Sequence, residues 1–257
     1  MVPDAFIALA VRLADAAGAI VMKHYRTGVA IDDKADSSPV TIADREAEQA
    51  MRALIQTAYP DHGIVGEELG TVHAEAEYVW VLDPVDGTKA FITGKPLFGI
   101  LIALLHRGRP VVGIIDHPAL DERFVGIAGR PTLYDGKLAR TRACPSLDKA
   151  WLYATSPEMF RTGPEADAFQ RLKRRVKHPV YGAECYAYGL LAAGLVDLVV
   201  EATMKPVDYC ALVPVVEGAG GVITDWQGAA LGLHSSGQVI AAGDSKLHAA
   251  ARAVLAG

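Results

Sequence analysis

Apolar residues recur at helical spacing over residues 3–25, where Phe6, Ile7, Leu9, Ala10, Leu13, Ala17, Ile20 and Val21 form one stripe. The spacing predicts a long amphipathic helix. The polar stretch 27–39, with Gly28, Asp32, Asp33, Lys34, Asp36, Ser37, Ser38 and Pro39, has loop chemistry. It is long enough to move and to cover a site. Thr41 then opens a second helix that runs to about Tyr59 and is closed by Pro60, with Asp44 as the acid of a capping-box-like pattern. Strand-like runs follow at 78–82, 98–106, 111–116 and 123–128, separated by Gly and Pro. This half reads as α+β, helices packed on an antiparallel sheet.

From Ala150 the pattern alternates. A strand to Thr155, a helix over 165–175, a strand near Val180, a helix over 185–193 and a strand over 198–201 come first. A helix over 207–218, strands at 222–224 and 239–242, and a last helix from Ser245 complete the series. Alternation predicts an α/β second half. Turn residues at 135–137 and 144–146 place the seam between Tyr134 and Lys149, and thus predict domains of about residues 1–140 and 141–257.

Composition narrows the functional classes. The 257 residues are 51% hydrophobic and 21% charged, a globular mixture, and the net charge of −5 supplies no positive field for nucleic acid or an anionic membrane. Cys144, Cys185 and Cys210 are odd in number and scattered, which fits a reducing compartment better than a disulfide framework. Asp4, Arg12 and Asp15 interrupt the apolar N-terminal run, and the longest uninterrupted apolar stretches, 98–105 and 189–196, fall short of the roughly 20 residues of a membrane span. A cytoplasmic, small-molecule enzyme is expected.

The chemistry concentrates in Val79-Trp80-Val81-Leu82-Asp83-Pro84-Val85-Asp86-Gly87-Thr88. An apolar strand ends in two carboxylates, and Pro84 favours a tight turn that aims Asp83 and Asp86 at one point. Gly87 lets a ligand approach the backbone, and the N–H groups that follow suit an anionic oxygen. Carboxylates for a cation thus stand beside amides for phosphate. Each residue also has a plainer use. Asp44 can be a helix cap, residues 83–87 a surface turn, and Asp208 an acid that complements a helix dipole. The basic run 171–177 reads as the wet face of a helix, the histidines show no paired ligand spacing, and Cys185 and Cys210 read as small core residues.

Taken in order, Gly66-Glu67-Glu68, then Asp83-Pro84-Val85-Asp86-Gly87-Thr88, then Asp208 at the head of a helix ending Glu217-Gly218-Ala219-Gly220-Gly221, closely resemble the inositol monophosphatase family. The resemblance runs from Val40-Thr41-Ile42-Ala43-Asp44 to Gly221. It implies a layered αβαβα sandwich and a magnesium-dependent phosphatase holding two or three ions, with Glu67, Asp83, Asp86, Asp208 and the carbonyl of Val85 as ligands. By the same resemblance Asp44 and Thr88 orient and deprotonate the attacking water, and the N–H groups of Gly87 and Thr88 hold phosphate; Glu68 reads as a helix-end or solvent-facing neighbour of Glu67, at most behind the ligands. The partner is then a small phosphorylated metabolite, and the chain a homodimer.

Departures bear on the substrate. Inositol-hydrolysing members carry Trp-Asp where Val207-Asp208 stands, and Thr-Asn after the DGT where Lys89-Ala90 stands. The segment from Glu184 to Trp226 is similar to the histidinol-phosphate phosphatases of the family, which implies hydrolysis of L-histidinol phosphate. An acid at the pocket rim would suit that cationic alcohol, and Glu201, at the end of a strand, is the expected one. An inositol-1-phosphate or nucleotide 3′-phosphate phosphatase is the alternative within the class; an RNA-associated regulatory binding protein is the alternative outside it, and the acidic charge speaks against it.

Overall fold

The computed structural model describes residues 2–33 and 39–257, so Lys34 and most of the polar segment's centre lie outside the described residues. Helix α1 (Asp4–His24) buries Phe6, Leu9, Ala10, Leu13, Ala17 and Val21 of the expected stripe, together with Ala14 and Gly18, while Ile7 and Ile20 are half-buried. Each Leu or Val so removed from water contributes about 1.5–3 kcal/mol. By length and mean hydropathy, 1.9, α1 could cross a membrane, although its apolar residues are not consecutive. Counting uninterrupted apolar runs underestimates it. Here it is a core helix.

Residues 27–39, expected as loop, instead contribute to a short antiparallel ladder between β1 (Ile31–Asp33) and β2 (Pro39–Thr41), with Ile31 opposite Thr41. Helix α2 (Ile42–Ala58) follows at once. Thr41 caps it by accepting from the Ala43 N–H at 3.2 Å, and Asp44 accepts from the Thr41 N–H at 2.9 Å to complete the capping box.

The first sheet is built from β3 (Gly63–Gly66), β4 (Thr71–Val72), β5 (Tyr78–Asp86), β6 (Gly99–His106), β7 (Arg109–His117), β8 (Glu122–Ile127), β9 (Leu133–Tyr134) and β10 (Lys137–Leu138). Its order is β10-β9-β8-β7-β6-β5-β3-β4. The sheet is antiparallel as expected except where β3 runs parallel to β5, with Gly66 opposite Leu82. That exception brings the Gly66-Glu67 corner beside Asp83. A five-residue helix, α3 (Thr88–Ile92), leaves the end of β5.

The second sheet has the order β12-β11-β13-β15-β14, drawn from β11 (Trp151–Ala154), β12 (His178–Tyr181), β13 (Leu198–Glu201), β14 (Val222–Thr224) and β15 (Val239–Ala242). β11 pairs in parallel with both β12 and β13. The remaining helices are α4 (Pro164–Lys173), α5 (Tyr186–Ala192), α6 (Pro206–Tyr209), α7 (Leu212–Gly218) and α8 (Ser245–Ala256). The helix expected over 207–218 is two pieces, because Pro214 has no N–H for the Cys210 carbonyl and its ring crowds that oxygen.

Helices α1 and α2 cover one face of the first sheet; α5, α6 and α7 fill the space between the sheets; α4 and α8 cover the far face of the second. The layering is αβαβα. Close approach of α7 fixes two glycines of the first sheet, since a Cβ at Gly113 would lie 2.0 Å from the Ala211 carbonyl oxygen and one at Gly126 2.3 Å from the Pro214 backbone.

Candidate functional site

Side chains three apart on a regular strand point to opposite faces. Asp83 and Asp86 nevertheless face one cleft, because β5 carries a bulge between them: Asp83 pairs with Leu101, yet Asp86 pairs with Gly99. One extra residue restores a shared face. Pro84, which has no N–H to give the ladder, sits at that bulge. A bulge within β5, in place of the expected tight turn, therefore aims Asp83 and Asp86 at one cleft.

Asp208, from the first turn of α6, approaches from the opposite side. Carboxylate oxygens of Asp83, Asp86 and Asp208 lie within 4.8 Å of one another, a spacing one cation can bridge. Each is oriented by one main-chain N–H. Val85 N–H donates to Asp83 Oδ1 at 3.0 Å, Cys185 N–H to Asp86 Oδ2 at 2.8 Å, and Lys205 N–H to Asp208 Oδ2 at 2.6 Å. Asp208 thereby caps its helix as well as facing the acids.

Burial raises the Asp83 carboxyl well above the usual carboxylate range, and the charges of Glu67, Asp86 and Asp208 raise it further. Asp86 is raised likewise, first by burial and then by Asp208. Asp208 is pushed up to about 7, mainly by burial, with Glu67 adding to the shift. Asp83, Asp86 and Asp208, three oxygen-donor acids whose ionisation burial opposes, form a hard donor set whose natural counter-ion is a divalent cation of the magnesium class. Lys205 supplies some positive charge, with Nζ 3.9 Å from Glu67 Oε1.

The cleft, about 190 Å³, is lined by Glu67, Asp83, Val85, Asp86, Gly87 and Thr88 from the first half of the chain. Thr155, Met159, Glu184, Glu201, Thr203, Met204 and Asp208 from the second half complete its lining. It thus opens at the carboxyl ends of β11 and β13, facing the bulged end of β5. The Thr88 hydroxyl donates to the Val85 carbonyl at 3.2 Å and makes no hydrogen bond to Asp44. Asp44 is fully buried, within reach of the Glu67 charge but not among the residues that line the cleft; Oδ2 takes the Thr41 N–H and hydroxyl, while Oδ1 is buried with no partner among the described residues. An orphaned carboxylate oxygen beside a raised acid cluster fits a site that expects a cation or water.

Glu201 is not a rim acid. It is 2% exposed, and its oxygens are occupied: Oε1 accepts from the Thr155 N–H at 2.8 Å and the Thr155 hydroxyl at 2.6 Å, and Oε2 from the Tyr188 hydroxyl at 2.9 Å. A strand-end acid in sequence is a cleft floor in space. The position of Glu68 is set through its backbone, whose N–H donates to Glu48 Oε2 at 2.7 Å.

Two residues escaped the sequence reading. Glu48 is fully buried in α2, accepts the N–H groups of Glu68 and Leu69, and is held by Arg52 Nε at 2.7 Å. A Cβ at Gly66 would lie 2.0 Å from Glu48 Oε1, so the glycine before Glu67 makes room for the anchor of its own loop. The signal was available as an acid and an arginine at i, i+4 spacing beside the apolar stripe of α2. The other is Glu184, which lines the cleft against Gly87.

A family model of the inositol monophosphatase family matches residues 3–256. The chloroplastic bifunctional phosphatase IMPL2 of Arabidopsis thaliana is 52% identical over 254 residues, which cover 95% of this chain and 73% of that protein. A histidinol-phosphatase of Chlorobaculum parvum is 33% identical over 229 residues, 89% of this chain and 88% of its own. Among solved structures, an inositol monophosphatase from Zymomonas mobilis superposes with a TM-score of 0.91 at 47% identity, covering 98% of both chains.

Proposed function

The chain belongs to the inositol monophosphatase family of phosphatases, and from that premise we propose that it hydrolyses L-histidinol phosphate to L-histidinol and phosphate with magnesium. The observation that carries this reading is the convergence of Asp83, Asp86 and Asp208 within 4.8 Å beside the Gly87-Thr88 turn. Those three acids, Glu67 and the Val85 carbonyl are assigned to hold two or three magnesium ions. When bound, magnesium supplies Lewis-acid stabilisation of phosphoryl charge and makes water more acidic.

The chain's own groups do the rest. Thr88 and Asp44 are assigned to orient the attacking water, with Asp44 taking its proton, a role helped by burial, which raises its carboxyl. Its unpartnered Oδ1 is the atom that would receive that proton. The N–H groups of Gly87 and Thr88, which open α3 and have no intrahelical acceptor, would hold the phosphoryl oxygens. Gly87 takes φ 80°, a left-handed conformation that other residues adopt at a cost.

Support for the histidinol ester comes from the Glu184–Trp226 resemblance, from the histidinol-phosphatase relative, and from two acids in the cleft beyond the proposed metal ligands, Glu184 and Glu201. A second reading, inositol-1-phosphate, is favoured by the 47% identity to the Zymomonas mobilis enzyme. A substrate panel separates them. With magnesium present, kcat/KM for L-histidinol phosphate is expected to exceed that for inositol-1-phosphate by about tenfold or more. The reverse order would overturn the first reading.

A further inference from the structure

Glu184 is the acid in the cleft whose charge has nothing assigned to it. It adopts φ 51°, a left-handed conformation that costs a non-glycine residue about 1–2 kcal/mol. That strain has two visible results. The turn delivers the next N–H, from Cys185, to Asp86 Oδ2, and it throws the Glu184 side chain across Gly87, where a Cβ would lie 2.8 Å from Glu184 Cγ. Two left-handed residues, Gly87 and Glu184, thus face each other over the cleft.

The carboxylate of Glu184 makes no hydrogen bond or ion pair among the described residues. Its neighbour Glu201 is saturated by three donors. Lys95 and Lys89 act on Glu184 only through space; Lys95 Nζ is committed to the Gly182 carbonyl, and Lys89 is exposed. Burial raises the Glu184 carboxyl, and the two lysines pull it back. A partly buried carboxylate without a donor calls for one from a ligand.

We propose that Glu184 is the specificity-determining residue of the cleft and binds the protonated amine of an amino-alcohol phosphate whose phosphoryl group lies at the acid cluster. This rests on the phosphatase reading above and names the residue that would recognise the cationic alcohol of its substrate. Geometry separates the two ends of such a substrate. The phosphate end faces Asp83, Asp86 and Asp208, while Glu184, just before α5, lines the same cleft beside Gly87 without belonging to that acid cluster and so is available to the alcohol end. A neutral polyol would offer the same carboxylate hydroxyl donors but no charge, and would bind it less strongly.

The test compares wild type, Glu184→Gln, Glu184→Ala and Glu184→Asp with L-histidinol phosphate and with glycerol 2-phosphate, whose alcohol is neutral. In the Gln and Ala variants KM for histidinol phosphate is expected to rise about 10- to 100-fold, the worth of a charge-assisted hydrogen bond. The rise should be at least about tenfold larger than any change for glycerol 2-phosphate, and Asp should recover part of it. A magnesium-induced rise in melting temperature retained in each variant shows that the fold and cation site persist. A wild-type preference for the amine ester that survives in Glu184→Gln overturns the assignment of Glu184 alone. Wild-type enzyme without such a preference overturns the substrate reading itself.

Discussion

Changing Asp86 to Asn is expected to lower turnover by about 10³-fold or more while raising the melting temperature of the metal-free protein. The opposite directions follow from one cause. Asp86 is held in a site where burial and the Asp208 charge both oppose its ionisation. Asn has nearly the same shape and can still accept the Cys185 N–H that now bonds Asp86 Oδ2 at 2.8 Å. The substitution therefore removes repulsion without opening a cavity or orphaning a donor. What it removes as well is a charge that the cation needs. Magnesium should consequently raise the melting temperature of wild type and leave the variant nearly unmoved. A merely structural Asp86 would give the reverse pattern, with lower stability and activity largely kept. Phosphate release and thermal melting, each with chelator or with magnesium, measure both halves.

Magnesium is also expected to stabilise the protein more strongly as pH rises from about 5 to about 8. The Asp208 carboxyl is pushed to about 7 in the fold from an ordinary 3.8. Between those values the metal-free folded chain keeps a proton that the unfolded chain has lost. Stability therefore falls with rising pH across that window. Asp83 and Asp86 are raised in the same direction. Cation binding displaces these protons, so it is hindered at low pH, by about 1.4 kcal/mol per pH unit for each proton released.

His117 and His248, each lowered by burial to about 4, act oppositely, because below 6.5 the unfolded chain takes up protons that the folded imidazoles accept only near 4, so their contribution is lost as pH falls through that window. Their contribution is the same with and without magnesium. The diagnostic quantity is accordingly the magnesium-induced increment in melting temperature at each pH. An increment that stays constant or shrinks toward pH 8 would contradict a carboxylate-held cation.

Much of the architecture was legible because it rests on local periodicity. The stripe of α1, the capping box at Thr41 and Asp44, and the apolar runs of β5 to β8 need only near neighbours to be recognised. What escaped is non-local. β3 is four residues bounded by Gly63 and Gly66, and its parallel partner is β5, which follows it in the chain without a helix between them. The ladder of β1 with β2 hid in a stretch whose Asp, Ser and Pro content signals a turn, and the turn chemistry outweighed the short strands that flank it.

The site divides in the same way. Asp83 and Asp86 could be placed together because Pro84 and Gly87 punctuate a strand, and the bulge supplies the geometry. Glu201 was misjudged as a rim acid because the donors that saturate it, Thr155 and Tyr188, come from other elements. Glu184 carried no signal in composition or spacing. Its role depends on a left-handed φ that local sequence does not announce outside glycine and asparagine.

The central claim is that acids from separate stretches of the chain jointly hold divalent cations beside the Gly87-Thr88 turn. Crystals of the protein with manganese in place of magnesium test it most directly, since anomalous scattering locates the ion. The account predicts anomalous peaks in contact with carboxylate oxygens of Asp83, Asp86 and Asp208, with Glu67 among the ligands. Saturating manganese that leaves this cleft without a peak, or that binds only elsewhere, would contradict it.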